Sequence, residues 1–319
     1  MSKLQVKKND QSSYKAPNNT LRVCKTAWKN REYYLLLIPA LIYLIIFCYA
    51  PMYGVQIAFK NYRGSLGIMG SRWVGFKHFI NFVTGFNFWT LVKNTLTLSV
   101  HSLLVTFPVP IILALVLNEL SPKLKKFTQT VLYAPHFLST VVLVGMMLVM
   151  FSKSSGVINT ILEALGFERY YFFGEPEAFS RLYVWSSVWQ NMGWNAIIYI
   201  AALSGIDSTL HEAAEIDGAN RIQRILHINI PCILPTIIIM LIMAVGNIAS
   251  VGYEKAFLMQ NDLNISVSEI ISTYVYKRGI VQSNYSFSAA VGLFNNVINV
   301  IMLLIANTIS RKVSETSLF

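Results

Sequence analysis

Asp207-Ser-Thr-Leu-His-Glu-Ala-Ala-Glu-Ile-Asp-Gly-Ala-Asn-Arg-Ile-Gln-Arg-Ile-Leu-His-Ile-Asn-Ile-Pro-Cys-Ile-Leu-Pro235 is a polar, helix-forming insert between two long apolar runs. Asp207 or Ser208 can cap a helix whose first turn carries Glu212, because a short side-chain oxygen satisfies amides that the first turn leaves unpaired. Gly218 permits the sharp reversal that follows. A second amphipathic helix is then expected to end ahead of Pro231. The stretch reads as a helix–turn–helix in which Ala213, Ala214 and Ala219 leave a low-relief surface for close packing by another protein. A plain surface linker is the competing reading of the bare pattern.

The runs on either side decide the solvent. A bilayer core of about 30 Å needs about 20 apolar residues at 1.5 Å rise each. Six segments qualify, roughly Tyr33–Phe59, Thr95–Leu117, Thr128–Phe151, Leu182–Leu203, Ile233–Val251 and Ser288–Ser310. Charged residues make up 13% of the 319, and hydrophobic ones 54%. A soluble domain carries roughly 25% charged residues, so an ordinary water-soluble fold is excluded. The expected class is an all-α integral membrane protein with six transmembrane helices. Residues 1–32 form a basic tail, 33–312 the membrane domain with its polar loop at about 204–232, and 313–319 a short second tail.

An even number of crossings places both termini on one side, and Lys and Arg choose it. Fifteen basic residues fall with the termini, including Lys3, Lys7, Lys8, Lys15, Arg22, Lys25, Lys29 and Arg31; eleven fall opposite. Both termini and the 204–232 loop are therefore expected in the cytoplasm. The formal net charge of +11 needs no nucleic acid to explain it. The first outer loop departs from the rule, since Lys60, Arg63, Arg72, Lys77 and Lys93 lie on the outer side. Aromatic spacing over Trp73–Phe82 predicts a short helix at the interface, and Gly156–Gly166 a second, ended by its glycine.

Other chemistry is sparse. Cys24, Cys48 and Cys232 make neither a disulfide framework nor a metal set. No G-x-x-x-x-G-K-[ST] or G-x-S-x-G occurs, and His211-Glu-Ala-Ala-Glu215 has glutamate where a zinc protease needs its second histidine. The chain is not expected to be an enzyme or to hydrolyse nucleotide by itself.

Glu212-Ala213-Ala214, Asp217-Gly218-Ala219, Ile228, Pro231 and Pro235 closely resemble the EAA loop of membrane subunits of bacterial binding-protein-dependent ABC importers, with Ile230 in place of the usual leucine. Pro51–Phe59, Trp73-Val-Gly-Phe76, Asn94-Thr95, Tyr133-Ala-Pro-His-Phe137, Gly156 and Asn159 resemble the branch for complex oligosaccharides or polysaccharides, relatives of the maltose-type permeases. The resemblance covers about Tyr33 to Lys312 and implies a type I importer fold in the bacterial cell membrane. It further implies a second permease subunit, normally a different chain, a cytoplasmic ATPase dimer holding ATP and Mg, and an extracellular solute-binding protein. This chain itself would bind no cofactor. By the same analogy Glu212 pairs with a basic residue of the ATPase, Ala213 and Ala214 pack closely, and Asp217, Gly218 and Ala219 form the turn of the coupling element.

A sugar passing through needs amides and aromatic platforms. The fourth run offers Trp185, Trp189, Gln190, Asn191, Trp194, Asn195 and Tyr199, in i, i+4 pairs spread over a broad arc. The last run adds Asn295, Asn296 and Asn299, and Asn247 stands in the fifth. Interhelical hydrogen bonding and the interfacial belt are the competing roles for such residues. No run carries a charge at its middle; Glu254 and Lys255 lie just past the fifth, which argues against a self-contained, proton-coupled transporter. A membrane enzyme acting on glycans is the further alternative, without a convergent acid, base or metal motif to support it.

Overall fold

The computed structural model describes residues 29–250 and 252–314. Most of the expected basic tail, Cys24 and residues 315–319 lie outside the described residues. The chain divides into two units, Met1–Val55 and Gln56–Phe319. Helix α1 (Arg31–Phe59) spans that division. Within the first unit it carries Pro39 and widens into a π-helical turn at Leu44–Tyr49.

Strands β1 (Lys60–Asn61) and β2 (Arg72–Trp73) pair antiparallel, with Lys60 opposite Trp73, around the short helix α2 (Gly67–Gly70). The helix expected over Trp73–Phe82 is therefore shorter. Gly75, at φ +59°, breaks the path, and α3 begins only at Lys77 (Lys77–Val83). Phe59 gathers the aromatics that suggested one helix, stacking on Trp73 at 5.7 Å and meeting Phe76 and Phe79 at 5.5 and 5.3 Å.

Helix α4 (Phe88–Asn118) follows, then α5 (Pro122–Phe137) and α6 (Thr140–Met150), which meet at 96°. The third apolar run is thus broken rather than continuous. Helix α7 (Val157–Ala164) stops before Gly166, whose φ of +86° suits a helix end. After it come α8 (Pro176–Ser204), α9 (Ser208–Ile216), α10 (Arg221–Gly246), α11 (Tyr253–Met259), α12 (Ile265–Ser268), α13 (Ile271–Tyr276) and α14 (Tyr285–Ser314).

Helices α1, α4, α10 and α14 are long and apolar enough to cross a membrane, and the bent α5/α6 pair makes a fifth crossing if taken as one. Helix α8, with 29 residues, is about 44 Å long, but its Ser, Asn and Gln residues dilute its apolar character. The count of six is for that reason not established by length and composition. The expected stop ahead of Pro231 does not occur: α10 runs through Pro231 and Pro235. A π-helical turn at Ile225–Asn229 places Pro231 in the first turn of the following α-helical stretch, where no amide donor is required.

Helix α8 is the centre of the second unit. Its lower half packs Ala196, Tyr199 and Leu203 against Ala114 and Leu117 of α4 and Ile233 of α10. Its upper half packs Phe179, Tyr183 and Val184 with Leu98, Leu143, Met147, Ala256 and Ile270. A Cβ at Gly193 would collide with the Leu132 carbonyl oxygen, so only glycine lets α8 approach α5 this closely. Large apolar side chains remain exposed along α4 and α14, as lipid-facing surfaces require.

Candidate functional site

The elbow between α9 and α10 is built from local motifs in succession. Asp207 caps α9 by accepting the Thr209 N–H at 3.0 Å, and this bond holds its carboxyl below the usual carboxylate range. At the other end Gly218 N–H donates to the Glu215 carbonyl at 3.0 Å and Ala219 N–H to the Ala214 carbonyl at 2.8 Å. With Gly218 at φ +78°, that pair is a Schellman ending, and a side chain there would be strained even in open space. Asn220 opens α10 with a reciprocal box: its Oδ1 accepts from Gln223 N–H at 2.9 Å while Gln223 Oε1 accepts from Asn220 N–H at 2.8 Å. Arg224 and Glu215 form an ion pair across the elbow. Glu215 was not among the residues expected to matter; it lies nine positions from Arg224, off any helical spacing.

The six expected coupling residues sit together. Glu212, Ala213, Asp217 and Gly218 are exposed, and Ala214 and Ala219 are half-buried. Glu212 falls in the second turn of α9 rather than the first. Beside them Ile216 is 87% and Ile222 67% exposed. Large apolar side chains left exposed on a polar elbow suit a protein partner, and residue type alone does not single them out.

The expected path residues separate into groups. Trp189, with Trp185, lines an apolar groove of about 870 Å³ between α8 and α6, with Met146, Met150 and Phe151 opposite. Gln190, Asn191 and Trp194 face the α5/α6 break instead. Gln190 Nε2 donates to the Leu138 carbonyl at 2.8 Å, His136 and Asn191 are bonded at 2.9 Å, and the His136 ring stacks on Trp194 at 4.4 Å and 7°. Asn195 is exposed. Asn295 and Asn299 hold a second interruption, at 247–250 after α10. Asn295 Nδ2 donates to the Ala249 carbonyl at 3.0 Å, Asn299 Oδ1 accepts the Ala249 N–H at 2.9 Å, and Asn299 Nδ2 donates to Ser250 Oγ at 2.6 Å. No single cavity brings all seven together.

Lys255, just past that interruption on α11 and outside the crossing helices, is 6% exposed. Its Nζ donates to the Tyr183 carbonyl at 3.0 Å and Ser187 Oγ at 2.7 Å and lies 4.9 Å over the Tyr183 ring. Among the described residues no carboxylate pairs with it. Burial pushes its pKa down to about 7.

Residues 106–315 match the family of binding-protein-dependent transport system inner membrane components. The polygalacturonan/rhamnogalacturonan transport system permease protein YteP of Bacillus subtilis (strain 168) is 42% identical over 287 residues, covering 90% of this chain and 89% of that protein. Protein LplB of the same organism is 44% identical over 91% of this chain and 92% of its own length. A crystal structure of a bacterial ABC transporter involved in the import of the acidic polysaccharide alginate has a chain that superposes with a TM-score of 0.84. That chain is 39% identical, and the match covers 92% of this chain and 99% of that one. This chain therefore belongs to the family of binding-protein-dependent transport system inner membrane components. It is a membrane-embedded permease of the type I ABC importer fold and not itself an enzyme.

Proposed function

We propose that this chain is one of two permease subunits of an ATP-driven importer for oligosaccharide or polysaccharide fragments delivered by an extracellular solute-binding protein. Its termini and the α9/α10 elbow lie in the cytoplasm, and the elbow seats on a separate ATPase dimer that holds ATP and Mg. The observation that carries this reading is the elbow itself. It is fixed by caps at both arms and an ion pair across them, yet it presents Glu212, Ala213 and Ile216 outward. Because α10 continues without a stop from the elbow to Gly246, a push on the elbow is passed into the membrane as movement of a whole helix.

Residues 33–312 form the permease domain, with Trp189, Gln190, Asn191, Trp194, Asn195, Asn295 and Asn299 along or bracing the path. The favoured cargo carries uronate carboxylates. YteP is named for polygalacturonan and rhamnogalacturonan, and the superposed transporter for the acidic polysaccharide alginate. In this chain Tyr33–Asn118 contains no Asp or Glu but five cations, Lys60, Arg63, Arg72, Lys77 and Lys93. A field of one sign concentrates an oppositely charged substrate at the mouth. Purification of the tagged chain from native membranes in mild detergent tests the assignment. An ATPase and a second permease are expected with wild type, and the ATPase is expected to be lost from Glu212→Lys. A chain that purifies alone overturns it.

A further inference from the structure

We infer that a pocket between the α3–α4 turn and the loop before α14 binds the headgroup of an anionic phospholipid, with the phosphodiester on Arg278. The pocket, about 360 Å³, is lined on its polar side by Asn81, Asn87, Arg278 and Asn284 and on its apolar side by aromatic rings, Phe86 among them. Arg278 is held in place by neutral groups only: Nε donates to Tyr274 Oη at 3.1 Å, Nη1 to Gln282 Oε1 at 2.8 Å, and the guanidinium lies 5.2 Å over the Tyr274 ring. These contacts leave Nη2 uncommitted. Among the described residues no carboxylate pairs with Arg278, and none occurs anywhere in Tyr33–Asn118, which includes the opposite wall. A fixed, half-buried guanidinium with no counter-ion is suited to two-point recognition of an anionic oxygen pair.

Placement favours a lipid over a carboxylated sugar. The pocket lies where α4 and α14, two of the crossing helices, begin. Phe86 at its rim is 100% exposed, and Trp89, in the first turn of α4, is largely exposed as well. Aromatic side chains at helix starts beside a cation mark headgroup depth. Asn284 is presented by a turn in which its N–H donates to the Arg278 carbonyl at 2.9 Å while Ser283 sits at φ +53°, so the loop maintains a disfavoured backbone to keep the two residues together.

The test is native mass spectrometry of the purified full chain exchanged into mixed phosphatidylglycerol and phosphatidylcholine micelles. Wild type is expected to retain one phosphatidylglycerol with about tenfold preference. Arg278→Gln is expected to lose the preference, and so is Asn81→Asp, an exposed substitution that puts a carboxylate in the pocket without touching the bonds of Arg278. Equal retention by wild type and Asn81→Asp overturns the proposal even if Arg278→Gln fails to fold. Displacement of the lipid from wild type by an oligogalacturonate also overturns it, in favour of a sugar subsite.

Discussion

The elbow at 207–229 and the interruptions at 138–139 and 247–250 all break the helical path, but they are secured in opposite ways. At the elbow the partners lie at most nine residues apart: Asp207 with Thr209, Gly218 with Glu215, Asn220 with Gln223, Arg224 with Glu215. Inside the bundle the free backbone groups are met from other helices, Leu138 by Gln190 and Ala249 by Asn295 and Asn299, roughly fifty residues away. Water can satisfy an exposed turn that loses a cap. A turn packed inside the bundle has no such reserve, so its bonds come from amides that resemble substrate ligands in the sequence.

Four measurements press on this contrast. The largest effect belongs to the helix contact beside the first interruption. Gly193→Val forces a side chain into the Leu132 carbonyl and is expected to cost about 3 kcal/mol or more, seen as loss of folded protein in detergent. Wild-type thermal stability in that variant would refute the close approach of α8 to α5. Next, Asn299→Leu strands the Ala249 N–H and is expected to cost about 2 kcal/mol, whereas Asn295→Leu costs less because the Asn295 Oδ1 is already without a partner. Thermal unfolding that ranks the two the other way would show that the second interruption is held differently.

Elbow substitutions are expected to be milder in stability and harsher in function. Gly218→Val costs about 1–2 kcal/mol through its backbone angle, and Asn220→Ala about 1 kcal/mol through its cap. Gly218→Val nevertheless abolishes ATP-dependent uptake while the chain stays folded; normal uptake by that variant removes the coupling role. The fourth measurement concerns Lys255. With a folded-state pKa of about 7 against an ordinary value of about 10.4, the unfolded chain holds more protons between those limits, and stability rises with pH across them. Lys255→Met is expected to flatten the rise of Tm between pH 7 and 9.5. An unchanged slope would assign that rise to another group.

The same contrast explains what could be read from the sequence. Asp207, Gly218 and the helical arms around them were legible because caps and positive-φ glycines act on their own neighbourhood. The places of α4 and α14 followed from apolar runs in the same way, although both helices extend beyond the expected Thr95–Leu117 and Ser288–Ser310. Continuation of α10 through Pro231 was not legible, since it depends on a π-helical turn that no residue in Ile225–Asn229 announces. Nor was the break between α5 and α6, because Leu138-Ser139 carries no glycine or proline and Pro135 sits within the helical turn before it. Gln190, Asn191, Asn295 and Asn299 stand out in the sequence as polar intrusions in apolar runs, but their type does not distinguish a side chain that contacts cargo from one that closes a backbone.

The bond between Ala249 and Asn299 also sets an order of assembly. Synthesis proceeds from the N-terminus at roughly 5–20 residues per second, so the segment after α10 waits about 3–10 s before Asn299 is even made. During that interval the nascent chain holds an unfinished joint whose partner has not yet been synthesised. The insertion machinery has to shelter it until the last helix arrives.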